Sequence, residues 1–282
     1  MLTGENSQSH SEFRSEKDDS VMVLIPEGWF LMGSNDMPDH EKPQRRVYLD
    51  AFYMDKYEVT NGQFERFVKA TGHRTEAEKR GSSHTVDRST GDWKSVKGAS
   101  WRHPQGPGSR TDPSNPVVHI SWNDAVSYTR WAGKRLPTEA EWEKGARGTD
   151  GRTYTWGNEA PDAGGRYRAN YNPGKYTEDG YFFTAPVGAF PAGVSPYGLM
   201  DMAGNVWEWC HDVYVEDFYK RAPDRNPVMG SRHGSSHGSA ARVVRGGSWS
   251  SLANNLRCAT RDYGDPADSN DYYGFRCARS SR

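Results

Sequence analysis

Turn-forming residues constrain the fold of this chain more than any other feature, because they leave little room for long regular elements. The sequence contains 30 Gly and 16 Pro among 282 residues. Beyond residue 150 these residues recur, together with Asn, every few positions between short aromatic runs. Gly and Pro interrupt helices and strands. We therefore expect this part of the chain to consist of loops and short strands on a small scaffold.

The apolar content is low, and aromatic residues supply much of it. Hydrophobic residues make up 34% of the chain and the mean hydropathy is −0.94. Ten Trp, fifteen Tyr and ten Phe compensate, since each buried aromatic ring removes on the order of 150–250 Å² from water. The sequence has no internal repeat and no linker. One domain is expected over 21–280, after a disordered polar tail over 1–20.

Regular elements are predicted mainly in the first half of the chain. Two strand-like runs flank a turn within 21–34, and a further strand segment lies in 47–60. Three helices are predicted because a capping residue precedes Gln, Asp or Glu by three positions and an apolar stripe follows. The predicted caps are Thr60, Ser121 and Thr138.

Residues 73–116 form the least regular segment of the first half. They are rich in Ser, Gly, Arg and Pro, and they contain Trp93 and Trp101. A segment this long without clear periodicity is typically a functional or wrapped surface loop. The two tryptophans are predicted to anchor it to the core.

Charge and hydropathy exclude several classes of partner. The net charge is −1 and the isoelectric point is about 6.8, so there is no electrostatic basis for binding nucleic acid or an anionic membrane. No apolar run approaches the roughly 20 residues of a membrane-spanning helix. The polar N-terminal segment lacks the apolar core of a signal peptide, which predicts a cytoplasmic protein.

Three cysteines, Cys210, Cys258 and Cys277, are too few for a disulfide framework. At least one thiol stays unpaired, which also favours the cytoplasm. A disulfide between Cys258 and Cys277 remains open at this stage, because a hairpin-like C-terminal segment could bring them together.

Seven segments, in order along residues 21–279, resemble the formylglycine-generating enzyme (sulfatase-modifying factor) family. They are PEGWFLMGS, YEVTNGQFERFV, PVVHISWNDAVSYTRWAGKRLPTEAEWEKGARG, WGN, DGYFFTAPVGAFP, YGLMDMAGNVWEW and the C-terminal pair RGGSW and GFRCA. The resemblance implies an α+β fold with little regular secondary structure, related to C-type lectin domains.

The resemblance also implies two structural calcium sites. The matching positions are Asn170, Tyr171, Asp179 and Tyr181 at the first site, and Asp201, Gly204, Val206 and Glu208 at the second. Calcium takes six to eight oxygen ligands, which such loops can supply from side chains and backbone carbonyls. The alternative is that Asp179 and Glu208 are ordinary turn and surface carboxylates.

The position that carries the family's reaction is altered. The family's enzyme binds copper(I) through two cysteines: the first lies two residues after the GGS-aromatic motif, and the second lies five residues further on. Here Ser248 and Trp249 match that motif, Ser251 occupies the first cysteine position, and the shortened segment LANNL contains no second cysteine. Copper(I) needs soft thiolate ligands, so copper binding and formylglycine generation are not expected. The family's active-site positions are Trp207, Ser248 and Ser251.

The histidines offer no replacement metal site. The closest pair, His233 and His237, lies in a Gly/Ser-rich segment. This context does not place both rings on one face of a helix, as a zinc-binding helix would. We interpret the segment as a solvated loop.

The polar, tyrosine-rich segment between Trp249 and Gly274 is predicted to bind a ligand or protein, since Tyr, Ser, Gly and Asn are favoured in binding loops. It would rim a groove floored by Trp207, Ser248 and Trp249. The candidate binding residues are Trp249, Asn254, Asn255, Arg261, Tyr263, Asn270, Tyr272 and Tyr273. The frame also resembles the variable C-terminus of retroelement-diversified lectin-like proteins; an ordinary surface loop is the alternative.

Two functions follow from these patterns. The first is a calcium-stabilised, non-catalytic module that binds an unidentified protein or small molecule. The second is an oxidoreductase that matures a protein, cofactor or natural product without the copper-binding cysteine pair.

Overall fold

The computed structural model describes residues 11–36, 39–230 and 240–281. Its helices are α1 (Asn61–Thr71), α2 (Glu76–Arg80), α3 (Trp122–Ala132) and α4 (Glu139–Arg147). Its strands are β1 (Glu12–Arg14), β2 (Val21–Ile25), β3 (Gly28–Met32), β4 (Arg45–Leu49), β5 (Phe52–Asp55), β6 (Ser82–Val86), β7 (Trp93–Lys97), β8 (Trp207–Val213), β9 (Arg242–Arg245), β10 (Arg261–Gly264), β11 (Tyr273–Gly274) and β12 (Ala278–Ser280). These short elements confirm the predicted α+β class.

The three predicted helices begin where local sequence directs them. Thr60, Ser121 and Thr138 each cap a helix through a complete capping box, which satisfies backbone donors that the first turn leaves free. Thr75 does the same for α2, a helix that the sequence analysis missed. Because α2 has five residues, it has no apolar periodicity to detect.

Two four-stranded sheets and two hairpins organise the strands. One sheet has the order β1-β2-β5-β12, and the other has the order β10-β9-β8-β11. The β8–β11 pair is parallel, whereas the remaining strand pairs are antiparallel. The hairpins are β3–β4 and β6–β7. The last forty residues supply β12 to the first sheet and β10 and β11 to the second, so this segment contributes strands to both sheets.

The N-terminal prediction is wrong for residues 11–20, which belong to the folded domain. Strand β1 pairs with β2, and the buried Asp18 carboxylate lies 2.7 Å from the Lys134 ammonium and accepts from the Tyr128 hydroxyl at 2.9 Å. Lys134 also contacts the Asp55 carboxylate at 2.9 Å. A polar sequence can be ordered in this way when a buried counter-charge elsewhere in the chain pairs with it.

The segment 73–116 is more regular than predicted. It contains α2 and the β6–β7 hairpin, and this hairpin packs on the C-terminal segment through a bridge between His84 and Asn270. Trp101 is buried, as expected of an anchor, whereas Trp93 is 46% exposed.

The cysteines lie in the core as free, buried thiols, so Cys258 and Cys277 are not joined in this structure. His233 and His237 lie outside the described residues, and their predicted loop stays a prediction. In the part of the chain that the structure describes, no helix has both the length and the apolar character needed to cross a membrane.

Candidate functional site

The family's catalytic position follows β9 in a tight turn. Gly246 and Gly247 have φ values of +98° and +76°, a region that other residues rarely adopt. The turn brings the Ser248 amide within 3.0 Å of the Ser251 hydroxyl oxygen, which accepts its hydrogen bond. The Ser248 hydroxyl lies 3.0 Å from that of Ser250. The buried hydroxyls of this turn therefore contact one another where the family's enzyme has its first thiolate.

An aromatic cluster covers Trp249, the residue that follows Ser248. Trp249 is buried, its ring centroid lies 5.1 Å from that of Phe183 and 5.8 Å from that of Tyr176, and its indole donates to the Asp271 carbonyl at 3.0 Å. Trp207 and Ser248 are buried as well. The predicted groove floored by Trp207, Ser248 and Trp249 is therefore wrong, since the three side chains lie beneath other residues.

The thiols elsewhere in the chain cannot replace the missing pair. Burial raises the pKa of Cys258 to about 12 and raises the pKa of Cys210 and Cys277 well above the ordinary range. The thiolate is the form that binds metal and acts as a nucleophile. These three side chains are neutral, buried thiols at physiological pH.

Four of the predicted binding residues are buried, and Trp249 is one of them. Arg261 is buried and donates to the Glu139 carboxylate at 2.6 and 3.0 Å. Asn270 and Tyr273 are also buried. The assignment of these three residues to an exposed binding loop is wrong, because β10 and β11 place Arg261 and Tyr273 in the second sheet and Asn270 bridges to His84 of β6.

The remaining loop residues are accessible. Asn254 and Asn255 are exposed, Tyr263 is 53% exposed and Tyr272 is half-buried. Tyr272 contacts Trp93 edge to face, with ring centroids 4.7 Å apart. Trp93 was not among the predicted binding residues, because its contact with Tyr272 joins residues far apart in the chain.

The first predicted calcium position contains a buried oxygen without a donor. The Asn170 amide nitrogen donates to the Phe183 carbonyl at 2.9 Å and to Asn205 Oδ1 at 3.0 Å, which fixes the orientation of the amide. Its Oδ1 has no hydrogen-bond partner. Asp179 accepts from the backbone amides of Tyr171 and Tyr181, and burial raises its pKa. An unpartnered oxygen near a desolvated carboxylate fits a hard cation.

The second predicted calcium position has more carboxylates than cationic side chains. Glu208 forms a two-bond ion pair with Arg276, at 2.7 Å for each bond. Burial and the charge of Glu208 raise the pKa of Asp201 to about 6, and burial with the charges of Asp201 and Glu208 raises the pKa of Glu58 well above its usual range. One guanidinium thus faces three carboxylates, and a cation would relieve the imbalance.

Side chains alone do not form a metal site. Over residues 11–36, 39–230 and 240–281, no group of three Asp, Glu, His or Cys side chains is arranged to hold a metal ion. An ion at either position would therefore need amide and backbone carbonyl oxygens as well, which calcium accepts.

Comparison with known proteins identifies the family. The model of the sulfatase-modifying factor enzyme 1-like domain matches residues 8–281. This chain belongs to the formylglycine-generating enzyme (sulfatase-modifying factor) family. The chain is 45% identical to the formylglycine-generating enzyme of Thermomonospora curvata, over 91% of this chain and 92% of that protein. It is also 38% identical to the inactive C-alpha-formylglycine-generating enzyme 2 of Bos taurus, over 91% and 87% of the two chains.

A solved structure agrees with this assignment. PvdO from Pseudomonas aeruginosa superposes with a TM-score of 0.76 and 28% identity, covering 96% of this chain and 98% of that one. The formylglycine-generating enzyme family thus includes relatives named for the reaction and relatives named as inactive, all similar to this chain over most of its length. Overall similarity therefore does not separate active from inactive members, and the residues at the active-site positions must do so.

Proposed function

We propose that this family member binds a ligand or protein and does not carry out copper-dependent oxidation. The observation that supports this most is the hydroxyl cluster of Ser248 and Ser251, which stands at the family's first cysteine position. A hydroxyl is a hard, weakly acidic group and does not replace a thiolate toward copper(I). The high pKa values of the three remaining thiols support the same conclusion.

Trp93 and Tyr272 form the centre of the proposed binding surface. Trp93 is exposed on the β6–β7 hairpin and contacts Tyr272 on the C-terminal segment. Exposed Trp and Tyr side chains supply large, rigid contact areas, and such residues dominate binding energy at interfaces. The partner would be a protein or a small molecule that lies across the hairpin and the C-terminal segment.

The purified protein is expected to retain no copper(I) against a thiol chelator, because it lacks a dithiolate site. Metal content after gel filtration measures this, with the Thermomonospora curvata enzyme treated in parallel as the positive control. Retention of about one copper per chain by the wild type would contradict the proposal. A Ser251→Ala variant that lost such copper would locate the site at the serine turn.

Calcium is proposed to stabilise the protein through Asn170 and the oxygens around it. Millimolar CaCl2 is expected to raise the melting temperature, since a ligand at about 100 times its dissociation constant adds about 2.7 kcal/mol. Asn170→Leu should reduce this shift by the contribution of the first predicted site, while Asn254→Leu, an exposed control, should retain the full shift. The measurement is differential scanning fluorimetry after EDTA treatment. Equal melting temperatures with calcium and with EDTA would refute the calcium role.

An oxidoreductase that acts in protein, cofactor or natural-product maturation is the second candidate. It is favoured by 45% identity to a relative that is named for its reaction. Such an activity would need a redox centre other than a copper dithiolate. Oxygen uptake by the protein supplemented with iron or copper, in the presence of a thiol peptide, would favour this candidate over the binding role.

A further inference from the structure

A cleft of about 330 Å³ lies beside the C-terminal segment and is lined in part by Arg88, in the loop between β6 and β7. Residues 104–118 form one side, residues 180–184 form another, and Asp271 lies at its inner end. A volume of this size falls in the range of small-molecule sites. Among the residues that line it, the sequence analysis gave a binding role only to Tyr181, as a calcium position, and to Asp271, as part of the C-terminal binding segment.

Three residues of this cleft carry buried side-chain oxygens that no donor satisfies. They are Asn61, Asn115 and Asp271, each through its Oδ1 atom. Asn61 and Asp271 are 4% and 2% exposed. A buried polar atom without a partner costs free energy, so three of them along one cleft indicate a group that donates hydrogen bonds.

The orientation of the two amides is set by their nitrogens. Asn61 Nδ2 donates to the Asp112 carbonyl at 3.0 Å, and Asn115 Nδ2 donates to the Thr184 carbonyl at 2.9 Å. Turning either amide would place an oxygen against a carbonyl oxygen. The unpartnered Oδ1 atoms are therefore a fixed property of the cleft.

Asp271 contributes a carboxylate without a counter-ion. Its Oδ2 accepts from the Thr85 hydroxyl at 2.5 Å and from the Val86 amide at 3.0 Å; its Oδ1 has no donor in good hydrogen-bond geometry, although the nearby Gln105 side chain favours the ionised form. Burial raises the pKa of Asp271 to about 6. A bound cation would stabilise the ionised form, because it would supply the missing charge and the missing donors.

The mouth of the cleft has the opposite charge. Arg88 and Arg110 are both exposed there, and the Arg88 guanidinium lies 5.2 Å from the Phe182 ring centroid. Phe182 and Phe183 form an aromatic wall between the two ends. Acceptors at the inner end, cations at the mouth and aromatic rings between them match a ligand with an ammonium group, an apolar body and a carboxylate.

We propose that this cleft binds a small zwitterion of the amino-acid type, with its ammonium group at Asn61, Asn115 and Asp271 and its carboxylate at the arginines. The aromatic wall favours an apolar or aromatic side chain. This inference rests on the proposed binding role, and it names the class of ligand that this cleft would bind.

Isothermal titration calorimetry of the full chain with L-phenylalanine tests the proposal. We expect binding that weakens about tenfold or more with N-acetyl-L-phenylalanine, which lacks the ammonium group. Phenethylamine, which lacks the carboxylate, should also bind more weakly. Absence of heat with millimolar L-phenylalanine would overturn the proposal, as would equal affinity for L-phenylalanine and its N-acetyl derivative.

Variants locate the site. Asp271→Asn should weaken L-phenylalanine binding about tenfold or more, while the exposed control Asp268→Asn should leave it unchanged. Arg110 lies on the surface, so Arg110→Gln keeps the test valid if Asp271→Asn unfolds. The Arg110→Gln variant should weaken the binding of L-phenylalanine but not the binding of phenethylamine. Binding that both variants leave intact would contradict the assignment to this cleft. Copper retention measures the proposed function separately, so the two claims fail independently.

Discussion

Replacing Arg276 with methionine is expected to lower the free energy of unfolding by about 3–5 kcal/mol, the cost of leaving buried charges unpaired. For a domain of this size the melting temperature should fall by roughly 10 °C. Arg276 is fully buried and, besides its two bonds to Glu208, donates to the Met200 carbonyl at 2.8 Å. Without it, Glu58, Asp201 and Glu208 would face one another with no guanidinium between them.

The pH dependence of the same variant provides an independent check. Asp201 has a pKa of about 6 in the folded protein against an ordinary value of 3.8, so the folded state binds a proton that the unfolded state does not. Its contribution to stability therefore grows as pH falls through about 6 and is complete below 3.8. The deficit of Arg276→Met relative to the wild type should be smaller at pH 5 than at pH 7.

Chemical denaturation at the two pH values measures both effects, with Arg276→Lys as the matched variant that keeps a positive charge. We expect Arg276→Lys to be less destabilised than Arg276→Met. If Arg276→Met were as stable as the wild type at pH 7, the assigned role of Arg276 in balancing the Glu58, Asp201 and Glu208 carboxylates would be wrong.

Arg261→Met is expected to destabilise the protein by about 3–5 kcal/mol and not to act through ligand binding. Arg261 and Arg245 hold the pKa of the buried Glu139 below its ordinary value despite the opposing effect of burial. Removal of Arg261 leaves Glu139 with the more distant Arg245, at 3.3 Å, and with the Tyr219 hydroxyl at 3.1 Å.

Tyr263→Ala, two positions away, is the matched control for Arg261→Met. The Tyr263 ring is 53% exposed and contacts Tyr214, so its removal should change stability by about 1 kcal/mol or less. Equilibrium unfolding in urea distinguishes the two. If both variants had similar stability, Arg261 would not have the structural role assigned to it, and the predicted binding role would again be open.

Local signals in the sequence were sufficient for three of the four described helices and for the family. The capping residues Thr60, Ser121 and Thr138 act within three positions of themselves, so the sequence alone places the helix starts. The order of the family motifs predicted the fold, and the domain match over residues 8–281 confirmed the family.

The features that the sequence did not predict depend on contacts between residues far apart in the chain. Asp18 is ordered by Lys134, 116 positions away, and Arg261 is buried by Glu139, 122 positions away. In the sequence Asp18 looks like part of a polar tail and Arg261 like part of a polar loop. The exposed contact between Trp93 and Tyr272 was missed for the same reason. Charge and polarity alone do not show whether a side chain has a buried partner.

We propose that this family member binds a ligand or protein and does not oxidise a substrate cysteine. Mass spectrometry of a cysteine-containing sulfatase-type peptide tests this proposal most directly. The peptide is incubated with the protein, copper, oxygen and a reductant, beside the Thermomonospora curvata enzyme. We expect the control to convert cysteine to formylglycine and this protein to leave the peptide unchanged, since Ser251 supplies no thiolate. Formylglycine formed by this protein, and lost in Ser251→Ala, would contradict the account.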